Sequence, residues 1–183
     1  MSFLDFSSIE RMFAHFLPGL PLAAFWLAPV VLLLLGAAAV VDARTGRVPD
    51  IFILFGLFLA LVVDGLFVDW PFSAKRFIYG LCGGILVAGV NQLWYRIFKR
   101  DAIGMGDAKW TALAAMVFPL TPVVMAWILG AWIGILWLGL GAVFRRRSAY
   151  VHFAPFLFLG LIAGLISHLC PAWLSILPFR ACF

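Results

Sequence analysis

Two aspartates stand out in a chain that is otherwise poor in charge. Asp42 follows the apolar run "LLLLGAAAVV", and Asp107 closes Gly104-Met105-Gly106-Asp107 in the stretch "GMGDAKW", just ahead of another apolar run. A carboxylate at membrane depth is costly and is by default a candidate functional group. Two that face one pocket have a specific chemistry open to them. Like charges a few Å apart do not both ionise easily, so one proton is shared and the two titrations split. The ionised partner takes a proton from water while the protonated one polarises a carbonyl, which is peptide hydrolysis without a metal or a covalent intermediate. Gly104 and Gly106 fit that chemistry. A peptide is cut in an extended form that needs close backbone approach, and glycine removes the obstructing side chain and allows positive φ.

The elements that must position these residues follow from composition. Of 183 residues, 66% are hydrophobic and 11% charged, against about half apolar in a globular chain. The expectation is an all-α polytopic membrane protein. Six apolar segments cover about 22–41, 51–69, 76–95, 107–120, 122–143 and 152–170, each read as a transmembrane helix. Residues 1–21 space Phe6, Ile9, Phe13 and Phe16 at helical intervals among polar residues, as in a helix lying in the membrane interface. No repeat or low-complexity linker divides the chain, so residues 22–183 read as one six-span domain behind that amphipathic segment. The fourth segment is short: about 13 residues at 1.5 Å each give roughly 20 Å, against about 30 Å of hydrocarbon. Either "GMGD" dips below the interface beside a water-filled cavity, or the span borrows residues 121–123.

Six spans put both termini on one side. The opposite loops hold Arg44, Arg47, Arg96, Lys99, Arg100, Lys109 and Arg145 to Arg147, whereas the other side holds Arg11, Lys75, Arg76 and Arg180. The excess of Lys and Arg marks the first set as cytoplasmic, and Trp70, Trp94, Tyr95 and Trp173 fall near span ends as an aromatic belt. Asp42 and Asp107 then lie on the cytoplasmic side at similar depth. The net charge of +5 is accounted for by these loops, with no basic stripe for nucleic acid.

Blander readings of the same residues stay open at this point. Asp107 also fits the N-cap of the fourth helix, with Gly104 and Gly106 as a turn. Asp42 also fits an interfacial residue ending the first helix, with Gly46 behind it. Arg44 and Lys109, each two residues past an Asp, point away from it on a helix and read as snorkelling side chains. Asp64 and Asp69 fall near the opposite face and receive no function. Asn91 and Gln92 either line the cavity or hydrogen-bond within the bundle. Cys82 reads as a small residue packed inside the bundle, and Cys170 and Cys182 are placed to meet on the far side of the membrane, with their pairing left open. There is no H-E-x-x-H, no ligand spacing among His15, His152 and His168, and no serine in a Gly-rich nucleophile turn, so neither a metal nor another cofactor is expected. His152 reads as an interfacial residue beside Arg145 to Arg147.

Three stretches together resemble the type IV prepilin peptidases. "DARTGRVPDIFIL" is similar to the first active-site motif of that family, "GMGDAKWTALAAMVF" to its second, Gly-x-Gly-Asp with a lysine two residues on, and "HFAPFLFLG" (His152 to Gly160) to the segment that opens its last span. The resemblance implies an intramembrane aspartic endopeptidase of the bacterial inner membrane. Such enzymes cut the leader from prepilins and pseudopilins on the cytoplasmic side, after a Gly that precedes the substrate's hydrophobic helix. By motif position Asp42 and Asp107 are implied as the catalytic pair, with Gly104, Gly106, Lys109, Pro49 and Pro155 as motif support. Larger members carry a methyltransferase domain with paired CxxC motifs that this chain lacks, so it resembles the short Flp or tight-adherence form. Asp50 stands where many relatives have Asn and is expected to cap the second span. Two other functions compete. A proton- or cation-coupled transporter also uses membrane carboxylates, although no repeat or mid-span acid supports it. A catalytically silent pilus or secretion assembly factor would not need both acids.

Overall fold

The computed structural model of the protein describes residues 22–99, 103–143 and 152–169. Every regular element among them is an α-helix: α1 (Leu22–Thr45), α2 (Asp50–Phe67), α3 (Trp70–Phe98), α4 (Met105–Val117), α5 (Leu120–Val143) and α6 (Ala154–Leu169). The all-α expectation holds for them. The amphipathic segment 1–21, the Arg145 to Arg147 cluster, Cys170 and Cys182 lie outside the described residues.

Local signals explain where the helices start and stop. α1 runs through Asp42 and ends at Gly46, whose φ of 69° and N–H to the Asp42 carbonyl (2.8 Å) make the left-handed turn that closes a helix C-terminus. Pro49, extended at φ −67°, is the N-cap of α2. Asp69 is the N-cap of α3 and accepts the Phe72 N–H, with Pro71 in the first turn. The third helix therefore begins at Trp70 rather than near residue 76. Lys75 and Arg76 lower the apolarity of this turn and hid its start, but they are inside the helix.

Four helical stretches among the described residues are long and apolar enough to cross a membrane: Leu27–Thr45, Asp50–Phe67, Trp70–Phe98 and Leu120–Leu140. α4, at 13 residues, and the apolar stretch Ala154–Ser167 of α6 fall below that length. α4 does not borrow residues 121–123. It stops at Val117, and Phe118 and Pro119 separate it from α5.

This short helix is the centre of the bundle. α4 touches all five other helices, and Ala108, Trp110, Thr111, Ala112, Leu113, Ala114, Met116 and Val117 are buried along it. Lipid gives helices no hydrophobic reason to associate, so close backbone approach between small residues has to do that work. On α3 the small residues face α4: a Cβ added to Gly80 would come within 2.6 Å of the Ala112 carbonyl oxygen. On α6, one added to Gly160 would come within 2.6 Å of the Ala126 oxygen of α5. Because Gly80 and Gly84 occupy the inward face, Cys82 points outward and is exposed, contrary to its expected packing inside the bundle.

Candidate active site

Asp42 sits in the last turn of α1 and is 7% exposed. Its carboxylate lies close to the backbone N–H of Ala154, the first residue of α6, and within electrostatic reach of His152. A helix N-terminus presents unpaired N–H groups and a partial positive charge, which suits a carboxylate. The His152 ring rests on Gly46, where an added Cβ would come within 2.9 Å of its Cε1 atom. The segment "HFAPF" thus closes over the end of α1. Pro155, second in α6, has no N–H to satisfy in that first turn.

Asp107 is 5% exposed and occupies the third position of α4; Gly104 is the N-cap. The N-cap reading of Asp107 is therefore displaced by three residues. The Asp107 Oδ2 atom accepts the Gly104 N–H at 3.3 Å, and the Asp107 N–H donates to the Gly104 carbonyl at 3.0 Å. This is the reach-back half of a capping box, since glycine has no side chain to complete it. One carboxylate oxygen is engaged in that contact. Behind it, the Trp127 indole N–H donates to Thr111 Oγ1 (3.2 Å), which donates to the Asp107 carbonyl (2.7 Å), tying α5 to the start of α4. The Ile103 N–H donates to Asn91 Oδ1 of α3 at 3.0 Å, anchoring the chain ahead of Gly104. Asn91 is buried in this role, whereas Gln92 is exposed.

The glycines contribute space rather than unusual dihedrals. Gly104 has φ −69° and Gly106 is helical; among the described residues Gly46 is the one glycine with positive φ. A Cβ on Gly106 would come within 2.7 Å of Val48 Cγ2, so the bare glycine lets the turn before α2 lie against α4. Gly104 and Met105 are exposed, leaving backbone accessible next to Asp107.

The fold brings the two sequence-predicted acids together: Asp42 lies within electrostatic reach of Asp107. Lys109 does not simply snorkel. Its Nζ atom pairs with Asp50 Oδ1 at 2.6 Å on the exposed rim, so Asp50 bridges α2 to α4, and the cap of α2 is Pro49. Among the described residues no three His, Cys, Asp or Glu side chains gather as a metal site requires. What the sequence left without a role is a third buried acid at the other end of α4. Asp64 is 0% exposed and its Oδ2 atom pairs with Arg76 Nη1 at 2.9 Å. Arg76 also donates through Nε to the Met116 carbonyl (2.7 Å) and through Nη2 to the Val117 carbonyl.

No curated protein and no solved structure matches this chain. A sequence model of the type IV leader peptidase family matches residues 29–139, which contain both aspartate motifs and end before the His152 to Gly160 segment. Over about three-fifths of its length, with Asp42 and Asp107 inside the match, this apolar helical bundle belongs to the type IV leader peptidase family.

Proposed function

We propose that the protein is an aspartic endopeptidase of the bacterial inner membrane that removes the leader of type IV prepilins or pseudopilins at the cytoplasmic face, after a Gly. The observation that carries this reading is the convergence of Asp42, from the end of α1, with Asp107, from the start of α4, both nearly excluded from solvent. Among the described residues no basic side chain pairs with Asp107 as Arg76 pairs with Asp64: it accepts a backbone N–H and lies within electrostatic reach of another acid. Two such acids hold one proton between them and titrate as a unit. The ionised carboxylate takes a proton from water as the water oxygen bonds to the scissile carbonyl carbon. The protonated one hydrogen-bonds the carbonyl oxygen. Transfer of a proton to the amine nitrogen then lets the C–N bond break and restores the starting pair.

Substrate and water approach over the exposed Gly104-Met105 turn, where an extended backbone meets no side chain at Gly104. Six membrane crossings, with α4 and α6 as short spans beside the four longer ones, and periplasmic termini belong to the same proposal, by the distribution of Lys and Arg. The test is leader cleavage in membranes: a Flp-type prepilin is co-expressed with the wild type, Asp42→Asn or Asp107→Asn, and the pilin mass is followed. Cleavage by the wild type alone is expected. A variant that still cleaves removes its aspartate from the mechanism.

A further inference from the structure

The far end of α4 carries a device that the chemistry above does not use. An α-helix leaves its last carbonyls without intrahelical donors. At α4 those of Met116 and Val117 end in the bundle, and Arg76 of α3 supplies donors to both with one guanidinium. The third edge of that guanidinium is held by Asp64 of α2, itself fully buried. Next to it, Ser73 Oγ of α3 donates to the Leu61 carbonyl of α2 at 2.7 Å, locking the α2–α3 pair that carries the clamp. A planar fork of fixed geometry sets direction as well as distance, which a point charge such as lysine does not.

We propose that Arg76 is a positioning residue for the proposed catalytic pair: held by Asp64, it fixes how far α4 slides and turns along its axis, and so sets where Asp107 stands against Asp42. α4 is short enough to need this. Its N-terminus is a glycine turn held to α3 by the contact of Ile103 with Asn91, and along the α3–α4 seam Gly80, Gly83 and Gly84 face alanines, Thr111 and, at Gly80, the Cβ of Met116. A smooth seam permits approach but offers little resistance to sliding. The Arg76 fork is the directional contact at the opposite end, about 15 Å from Asp107 at 1.5 Å rise per residue. Misplacement of a reacting group by about 1 Å is enough to cost roughly a hundredfold in rate.

The inference rests on the aspartyl-pair reading, so its test has a readout other than cleavage. In full-length protein with Cys82, Cys170 and Cys182 replaced by serine, Asp42→Cys and Asp107→Cys are combined and the rate of oxidative disulfide trapping is measured in nanodiscs. The same is done with Arg76→Lys, which keeps a cation beside Asp64 but cannot serve both carbonyls, and with Leu157→Ala in α6 as a control of matched or lower thermal stability. Trapping is expected to fall at least fivefold with Arg76→Lys and to stay within twofold with Leu157→Ala. In the enzyme with both aspartates, Arg76→Lys is expected to lower kcat for prepilin cleavage at least tenfold with KM within twofold. If Arg76→Lys does not accumulate, Asp64→Asn, which releases the holder but leaves the fork, takes its place with the same expected direction. Unchanged trapping in a variant that melts earlier would make Arg76 a stabilising group only and overturn the inference, leaving the active-site reading intact. Absence of trapping in the Arg76 background itself would overturn both.

Discussion

The two ends of α4 each rest on a buried aspartate, and the two have opposite kinds of partner. Asp64 meets, through Oδ2, a guanidinium that also donates to two helix carbonyls. Asp107 meets a single N–H and a second acid. Burial alone therefore does not mark a catalytic carboxylate. A buried acid with an arginine partner is neutralised and holds structure. A buried acid opposite another acid keeps a proton in play, which is what hydrolysis of a peptide needs.

The contrast is sharpest in what removal of each acid does. Asp107→Asn is expected to lower leader cleavage by about 10²- to 10⁴-fold, the range of a lost general acid or base, with thermal unfolding in detergent unchanged or slightly later because a like-charge neighbour is gone. Asp64→Ala is expected to do the reverse in kind. It strands Arg76 in the bundle, a loss of about 3–5 kcal/mol by the usual cost of breaking a buried pair, read as early unfolding and low accumulation. Early unfolding of Asp107→Asn together with normal stability of Asp64→Ala would break the comparison.

Smaller effects sharpen it further. Gly106→Ala puts a Cβ within 2.7 Å of the stiff Val48 side chain. A penalty of about 1–3 kcal/mol is expected for such overpacking, with part of the stability and cleavage recovered when Val48→Ala is added. A full effect that Val48→Ala leaves untouched would mean the glycine is needed for something other than space. Smallest is the rim pair: Lys109→Ala or Asp50→Ala is expected to change stability by no more than about 1 kcal/mol, as exposed ion pairs do. A double-mutant cycle in thermal unfolding checks that value.

Much of this was legible in the sequence, and the exceptions have physical causes. Hydropathy finds helices because lipid forces every backbone group to be paired within its segment, and the 13-residue length of α4 followed from the spacing of "GMGD" and "PLTP". Helix starts are set by caps rather than by apolarity, so an apolarity reading passes over the Asp69-Trp70-Pro71 signal and puts Arg76 at the very start of its helix instead of in the second turn. That single displacement concealed the Asp64–Arg76 pair, because the two residues face each other only if the turn between α2 and α3 is as short as it is. Likewise Gly80, Val87 and Asn91 lie on one buried stripe of α3 and put Cys82 on the other side. The approach of His152 and Ala154 to Asp42 brings together segments remote in the chain, and no local pattern states it.

The most direct test of a shared site is a double-variant cycle on cleavage rate, with Asp42→Asn, Asp107→Asn and both together assayed against one prepilin under single-turnover conditions. Two acids that act as one unit are expected to be non-additive: the double variant cleaves at the rate of the weaker single variant, within about threefold. Losses that multiply across the two positions would mean the aspartates act independently, and the paired-acid mechanism would be wrong.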